Sequence, residues 1–394
     1  MTYATMWAYP WDFLDDGAET VARRLREDVG LDAVSLATSY HTVEHLRLHT
    51  RGRRTFQSFD AALYFRPDPN LWRGLALQPN VSPLTVDANP LERVCAVAER
   101  VGLKVESWTV CLHSSHLGRK HPDACERNVF GDPYPPHLCP SNPDVRAYAT
   151  TLVRDLAANY PLYAVELESL HYGGFGHFHG HEKIGVELGH VGRFLLSLCF
   201  CESCRTGAKS AGVDVDAAAS VARSTLERIF AQGAPVAEHV DDIIGDSPEL
   251  AALLAWREKI VTSLTDEVKK SAGNAFLVAM LAGDPRFTGL NGKAVAEFAD
   301  ALELLCYTAQ PEIVEQQVAQ ATTRYCAADD LIVGLSAFVP HTPSKGVLEA
   351  NVRRAFRMGV RGFSFYNYGI MPERNLEWVA SAVRWVREAD RGAS

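Results

Sequence analysis

The chain has 394 residues, with 47% hydrophobic and 22% charged side chains and a formal net charge of -9. This is the make-up of an ordinary globular protein with ample material for a core, and its acidic balance lacks the basic footprint of a nucleic-acid binder. No apolar run approaches the length of a membrane span, and no positive segment precedes an apolar stretch at the N-terminus. The expectation is a soluble, cytoplasmic protein without membrane or nucleic-acid partners. Nine cysteines, an odd number, also favour a reducing compartment over a disulfide framework.

In chain order, short β-branched or aromatic runs alternate with longer segments of helical period, the pattern of repeated βα units around a parallel sheet. The first strand is predicted at 3–9, with a helix at 17–28, and the second strand at 33–38. A long loop over 65–90, rich in proline and asparagine, is expected to fold over the mouth of the sheet. The third strand, 104–112, follows a helix at 90–101, and the fourth, 163–169, follows a helix at 143–159. An insertion over 170–273 then carries a cysteine cluster and two extra helices, about 215–232 and 248–272. These start at Asp214-Val-Asp-Ala and Asp246-Ser-Pro, an acid or serine ahead of apolar periodicity. The remaining strands are predicted at 275–282, 301–307, 331–339 and 362–367. Eight strands with intervening helices define an α/β fold, a single (β/α)8 TIM barrel over 1–394 with a helical insertion after strand 4. A doubly wound open sheet is the alternative, but no Gly-x-Gly-x-x-Gly turn follows the first strand.

In such a barrel the active site gathers where the strands end. The residues there are Trp11 and Asp12 after the first strand, His41 after the second, His113 after the third, and Glu166, Glu168 and His171 at the fourth. Asp284, Tyr307 and His341 follow the fifth, sixth and seventh, and Tyr366 and Asn367 close the eighth. In Ala164-Val-Glu-Leu-Glu-Ser169 the side chains alternate, so Val165 and Leu167 face the helices and both glutamates face inward. An interior carboxylate is costly unless it is paired or used. Glu168, at the lip, suits a general acid whose pKa partial burial raises. Glu166, one layer deeper, suits either chemistry or a structural hydrogen bond.

Cys199, Cys201 and Cys204 form a Cys-x-Cys-x-x-Cys run that turns three thiolates toward one point, as in a structural zinc site. The fourth ligand must come from elsewhere. Cys139, in a loop just before a predicted helix, is the best candidate, with Cys125 and Cys111 as rivals. A closed four-cysteine site leaves no position open for substrate, so its work is to pin loops.

The run Cys139-Pro-Ser-Asn-Pro-Asp-Val-Arg146 ahead of a helix, a fourth strand ending in glutamate, and the following cysteine triplet together resemble the β-galactosidases of glycoside hydrolase family 42, over about residues 139–205. The resemblance implies a barrel enzyme acting on a small-molecule glycoside. It further implies a structural Zn2+ held by Cys139, Cys199, Cys201 and Cys204, and an acid/base glutamate at Glu168. Leu167 stands where that family has asparagine, so the chain is not a standard β-galactosidase. The seventh strand also ends without the carboxylate that a retaining glycosidase places about 5 Å from its acid. Asp284, Asp12 or Glu166 could then assist Glu168.

For stacking on a sugar or planar aglycone, Trp11 and Tyr368 are expected to serve, whereas Trp7 and Trp108, within strands, are expected to pack in the core. Two other readings stand beside the glycosidase. His171, His177, His179 and His181, with His41, His113 and His341, could hold a catalytic divalent metal and make a hydrolase, lyase or isomerase. A barrel without its nucleophile could instead bind a sugar and leave it intact. An acidic barrel with helices outside is also compatible with a homodimer.

Overall fold

The computed structural model describes residues 2–50, 52–177 and 180–393. His179, one of the histidines of the metal reading, lies outside them. Eight parallel strands close on themselves: β1 (Tyr3–Ala8), β2 (Ala33–Tyr40), β3 (Lys104–Val110), β4 (Ala164–Glu168), β5 (Phe276–Leu281), β6 (Ala301–Leu305), β7 (Leu331–Ser336) and β8 (Gly362–Tyr366). Each pairs with its sequence neighbour, and β8 pairs with β1, which completes the (β/α)8 barrel. Their apolar runs, buried on both faces, are what a helix-covered parallel sheet requires. Among the described residues, no helix is long and apolar enough to cross a membrane.

The helices predicted at Pro90–Val101, Pro143–Asn159, Val215–Gln232 and Pro248–Ala272 form with those bounds. Asn142, Asp214 and Ser247 each accept a hydrogen bond from a backbone N–H of the first turn they cap. The helix Pro248–Ala272 packs on Pro143–Asn159, where Arg146 forks onto Glu267, and it leads directly into β5. It therefore serves as the barrel's own helix after β4 rather than as an addition to it. The helix predicted at 17–28 forms as Ala18–Arg23 running on into a π-helical turn, Arg24–Val29, and a further short helix, Pro10–Asp16, precedes it, set off by Gly17 at a φ of 89°.

The loop over 65–90 does not cover the mouth. Trp72 Nε1 and Asp68 N both donate to Asp155 on the outer helix Pro143–Asn159, at 2.6 and 3.0 Å, and Tyr160 Oη donates to the Arg66 carbonyl. The stretch 66–72 thus runs along the outside of the barrel, and no residue of 65–90 lines the cavity at the mouth. Two antiparallel hairpins appear that periodicity did not predict: Val43–Leu46 with Thr55–Ser58, and Cys125–Arg127 with Pro133–Leu138. The second is rich in proline, which an edge strand tolerates because its outer N–H groups are not needed for a ladder.

Inside the barrel the inward residues form three levels. Ala164, Val278, Ala301 and Ile332 plug the bottom. Above them lies a polar level of Glu106, Glu166 and Glu303 with hydroxyl partners. The top is aromatic, built around Trp7, Tyr9, Tyr40 and Trp108. Gly334 on β7 makes room for that level, since a Cβ there would stand 3.0 Å from the Trp7 indole.

Candidate active site

A cavity of about 530 Å³ opens at the C-terminal ends of the strands, above the aromatic level. Glu168, the last residue of β4, sits in its wall and accepts a hydrogen bond from Trp108 Nε1 at 2.5 Å. The next residue, Ser169, takes a left-handed conformation with a φ of 56°, so the chain turns sharply away and leaves the carboxyl at the rim of the barrel. Burial raises the Glu168 pKa, while the Trp108 hydrogen bond and the neighbouring His177 act in the opposite direction. Burial thus works against the ionised form of this carboxyl.

One side of the cavity is aromatic. Trp7 lies edge-on to Tyr366 at 5.6 Å, Trp108 meets Tyr366 at 6.0 Å, and Tyr307 stacks on Tyr366 at 5.8 Å. The other side is a group of imidazoles. His41 stacks on His113 at 4.6 Å, and His113 lies 5.0 Å from His137 and 5.7 Å from His177. His171 hydrogen-bonds the Tyr172 carbonyl through Nδ1, and its buried Nε2, also at the cavity wall, has no protein partner. Burial lowers the pKa of both His41 and His171, which favours their neutral form.

Glu168, His41, His113, His171, Tyr307 and Tyr366 are therefore brought together as the sequence suggests. The other expected residues are engaged elsewhere. Glu166 lies one level down, where its Oε2 accepts from Trp7 Nε1 at 2.8 Å and Ser35 Oγ at 2.6 Å. Asp12 folds back on its own helix, accepting from Tyr9 N at 3.0 Å and facing Arg47 at 3.5 Å, and burial carries its pKa to about 7. Trp11 stacks on Phe56 at 3.9 Å and donates to His45, under the hairpin Val43–Leu46 with Thr55–Ser58. Asp284 caps a short turn and is forked by Arg286; partial burial works to raise its pKa, but the guanidinium outweighs it. Asn367 accepts from Gly369 N at 3.0 Å, and His341 contacts Tyr307 from outside the cavity wall, at 5.7 Å between rings.

The roles of the tryptophans are reversed from expectation. Trp7 and Trp108 line the cavity, whereas Trp11 and Tyr368 are buried away from it. Strand parity carried the missed signal: Trp108 is two residues beyond the inward Glu106 and pairs in register with Glu166. No comparable signal marked His137, which arrives on the proline-rich hairpin.

Cys139, Cys199, Cys201 and Cys204 are all buried, and their sulfurs lie within 4.8 Å of one another. Cys111 and Cys125, the rivals for the fourth place, are buried elsewhere. The Cys139 sulfur is 3.5 Å from those of Cys201 and Cys204 and 3.9 Å from that of Cys199. A tetrahedral ion bound at about 2.3 Å to sulfur would hold its ligands about 3.8 Å apart, so the quartet fits a metal ion. Among the described residues it is the one histidine, cysteine and carboxylate group drawn close enough to do so; the histidines of the cavity are not. The quartet also adjoins the cavity loop. Tyr172, next to His171, reaches Cys204 at 3.7 Å, and Glu126, on the same hairpin as His137, accepts from Gly173 N at 2.7 Å.

No protein-family profile matches this chain, and no curated protein does. Solved structures with the same barrel do match. The PgaB (BpsB) glycoside hydrolase domain from Bordetella bronchiseptica superposes with a TM-score of 0.62 and 13% identity over 97% of this chain and 98% of its own. The catalytic domain of a β-amylase from Paenibacillus polymyxa gives 0.59 and 10% over 97% of each. A β-galactosidase from the psychrophilic Marinomonas ef1 gives 0.60 and 11%, with 99% of this chain covering 60% of that protein. At these identities the likeness is one of fold.

Proposed function

We propose that the protein is a glycosidase-type enzyme in which Glu168 is the acid/base and the cavity above it holds the glycoside. The observation that carries this reading is the half-buried Glu168 carboxyl beside Trp108, at the wall of a cavity with aromatic faces on one side and imidazoles on the other. Aromatic faces suit the apolar faces of sugar rings, and imidazoles suit hydroxyl groups. The similar barrels, among them a glycoside hydrolase domain, a β-galactosidase and a β-amylase, agree with it. The cysteine quartet supports a structural zinc, and with it the resemblance to family 42: four sulfur ligands close the coordination shell, so the ion would stabilise loops and take no part in the reaction.

The test is release of product from a broad panel of aryl and natural glycosides by the native protein and by Glu168→Gln. Turnover that falls about a thousandfold in the variant supports the assignment. A panel bound without turnover by both proteins would make this a sugar-binding barrel. Turnover that needs an added divalent ion would move the chemistry to the histidines.

A further inference from the structure

Three imidazoles of the cavity wall ride on segments outside the barrel strands: His113 just beyond β3, His137 in Pro133–Leu138, and His171 just beyond β4. The first two are partners across a short antiparallel pairing, in which Ser114 N donates to the Pro136 carbonyl and Leu138 N to the Leu112 carbonyl, both at 2.9 Å. A pairing this short holds little by itself, so the rings stay where the ends of their segments are anchored.

Those ends meet at the cysteine quartet. Cys139 follows Leu138 directly. On the other strand of the hairpin, Arg127 N donates to the Cys199 sulfur at 3.4 Å, and the Arg127 carbonyl accepts from Phe200 N at 2.7 Å. The adjacent Glu126, wholly buried, reaches the loop after β4 and accepts from Gly173 N at 2.7 Å and from Gly174 N at 3.3 Å. Tyr172, in the same loop, has the guanidinium of the buried Arg257 over its ring at 4.2 Å and its hydroxyl 3.7 Å from the Cys204 sulfur. A divalent ion on four thiolates leaves this buried group with a net negative charge. That charge strengthens the N–H and O–H donors directed at the sulfurs, and Arg257, against Tyr172, is a buried cation that offsets it.

Resting on the glycosidase reading above for its effect on turnover, we infer that Tyr172 and Glu126 are positioning residues, which transmit the loading of the cysteine quartet to His137 and His171. The imidazole wall of the cavity is then fully ordered only when the quartet holds its ion. Glu168 stands apart from this unit, because it ends a barrel strand and pairs in register with Val110 on β3. Loosening the wall therefore weakens the hold on substrate and leaves the acid in place.

The experiment is hydrogen–deuterium exchange of the full chain, read by mass spectrometry. It compares the zinc-loaded protein, the chelated protein, and zinc-loaded Tyr172→Phe and Glu126→Gln, with metal content followed by elemental analysis and fold by circular dichroism. Chelation is expected to speed exchange in 125–138 and 171–174 by about tenfold or more beyond any change in β7 and β8, across the barrel. Both variants should keep the ion and still exchange faster in 171–174. With a glycoside that the native protein turns over, they should raise KM about fivefold or more and leave kcat within about twofold. Failure to take up zinc, unchanged exchange in the two segments on chelation, a loss spread evenly along the chain, or loaded variants that match the native protein would each overturn the inference. If no glycoside is turned over, the glycosidase reading falls, and the exchange pattern still decides this one.

Discussion

Glu166 and Glu168 are two residues apart on one strand and point the same way, yet they inhabit different regions of the molecule. Glu166 lies in the polar level of the barrel interior, where an indole and a hydroxyl share one of its oxygens. Glu168 stands at the wall of the cavity, with one indole donor and open space before it. Both pKa values are raised by burial, and for Glu166 the nearby Glu303 and Glu106 add to that effect. The lesson is that a perturbed carboxyl marks a barrel interior as readily as an active site, and that access to a cavity separates the two.

Neutralising each carboxyl in turn is the sharpest way to break this comparison. Glu168→Gln is expected to cost about a thousandfold in kcat. Glu166→Gln should stay within a few-fold, because the amide oxygen can still accept both hydrogen bonds; a large loss there would merge the two levels into one catalytic unit. Next in size is the cysteine quartet. The purified protein is expected to hold about one zinc per chain by elemental analysis, and Cys201→Ser to lose it with a fall in Tm on the order of 5–10 °C. An unchanged metal content and Tm would remove the staple from the account.

Trp108→Phe sharpens the contrast from the other side. The indole hydrogen bond favours the ionised form of Glu168, so its loss should raise the pKa of the acid. The alkaline limb of the kcat–pH profile should then move up by as much as about one unit, with turnover falling by up to about tenfold. A limb that stays in place would mean that another group supplies the proton.

The smallest effect is expected in the interior. Burial raises the Glu303 pKa to about 8, so the folded state keeps this proton to higher pH than the unfolded chain does. The contribution to stability is complete below the ordinary carboxylate range and is lost as the pH rises toward 8. Tm of the native protein should decline across that window. Glu303→Gln should decline less and be the more stable of the two at pH 8. Parallel melting curves would show otherwise.

Much of this was legible in the chain because a parallel barrel writes its strands as apolar runs and its helices with clear starts. Four helices form with their predicted bounds for that reason. Strand parity also placed Glu168 correctly, and the cysteine spacing, with Cys139, foretold the quartet. The misses share a cause, which is that loops are settled by tertiary partners. Asp12 was assigned to the mouth by its position after β1, but Arg47, from the hairpin Val43–Leu46 with Thr55–Ser58, draws it away. Length alone points the segment 65–90 to the mouth, but Asp155 on an outer helix holds its Asp68 and Trp72. Asp284 followed β5 as predicted, yet Arg286, two residues on, occupies both its oxygens.

Gly173 shows how far such tertiary demands reach. Its backbone is not in the left-handed region, so nothing in its own conformation asks for glycine, but a Cβ there would stand 2.0 Å from Nδ1 of His137. Any side chain at this position would have to displace the imidazole that lines the cavity. In a set of sequences sharing this pocket the position would appear as a fixed glycine, although it neither bends the chain unusually nor carries chemistry. What it would record is the size of its neighbour.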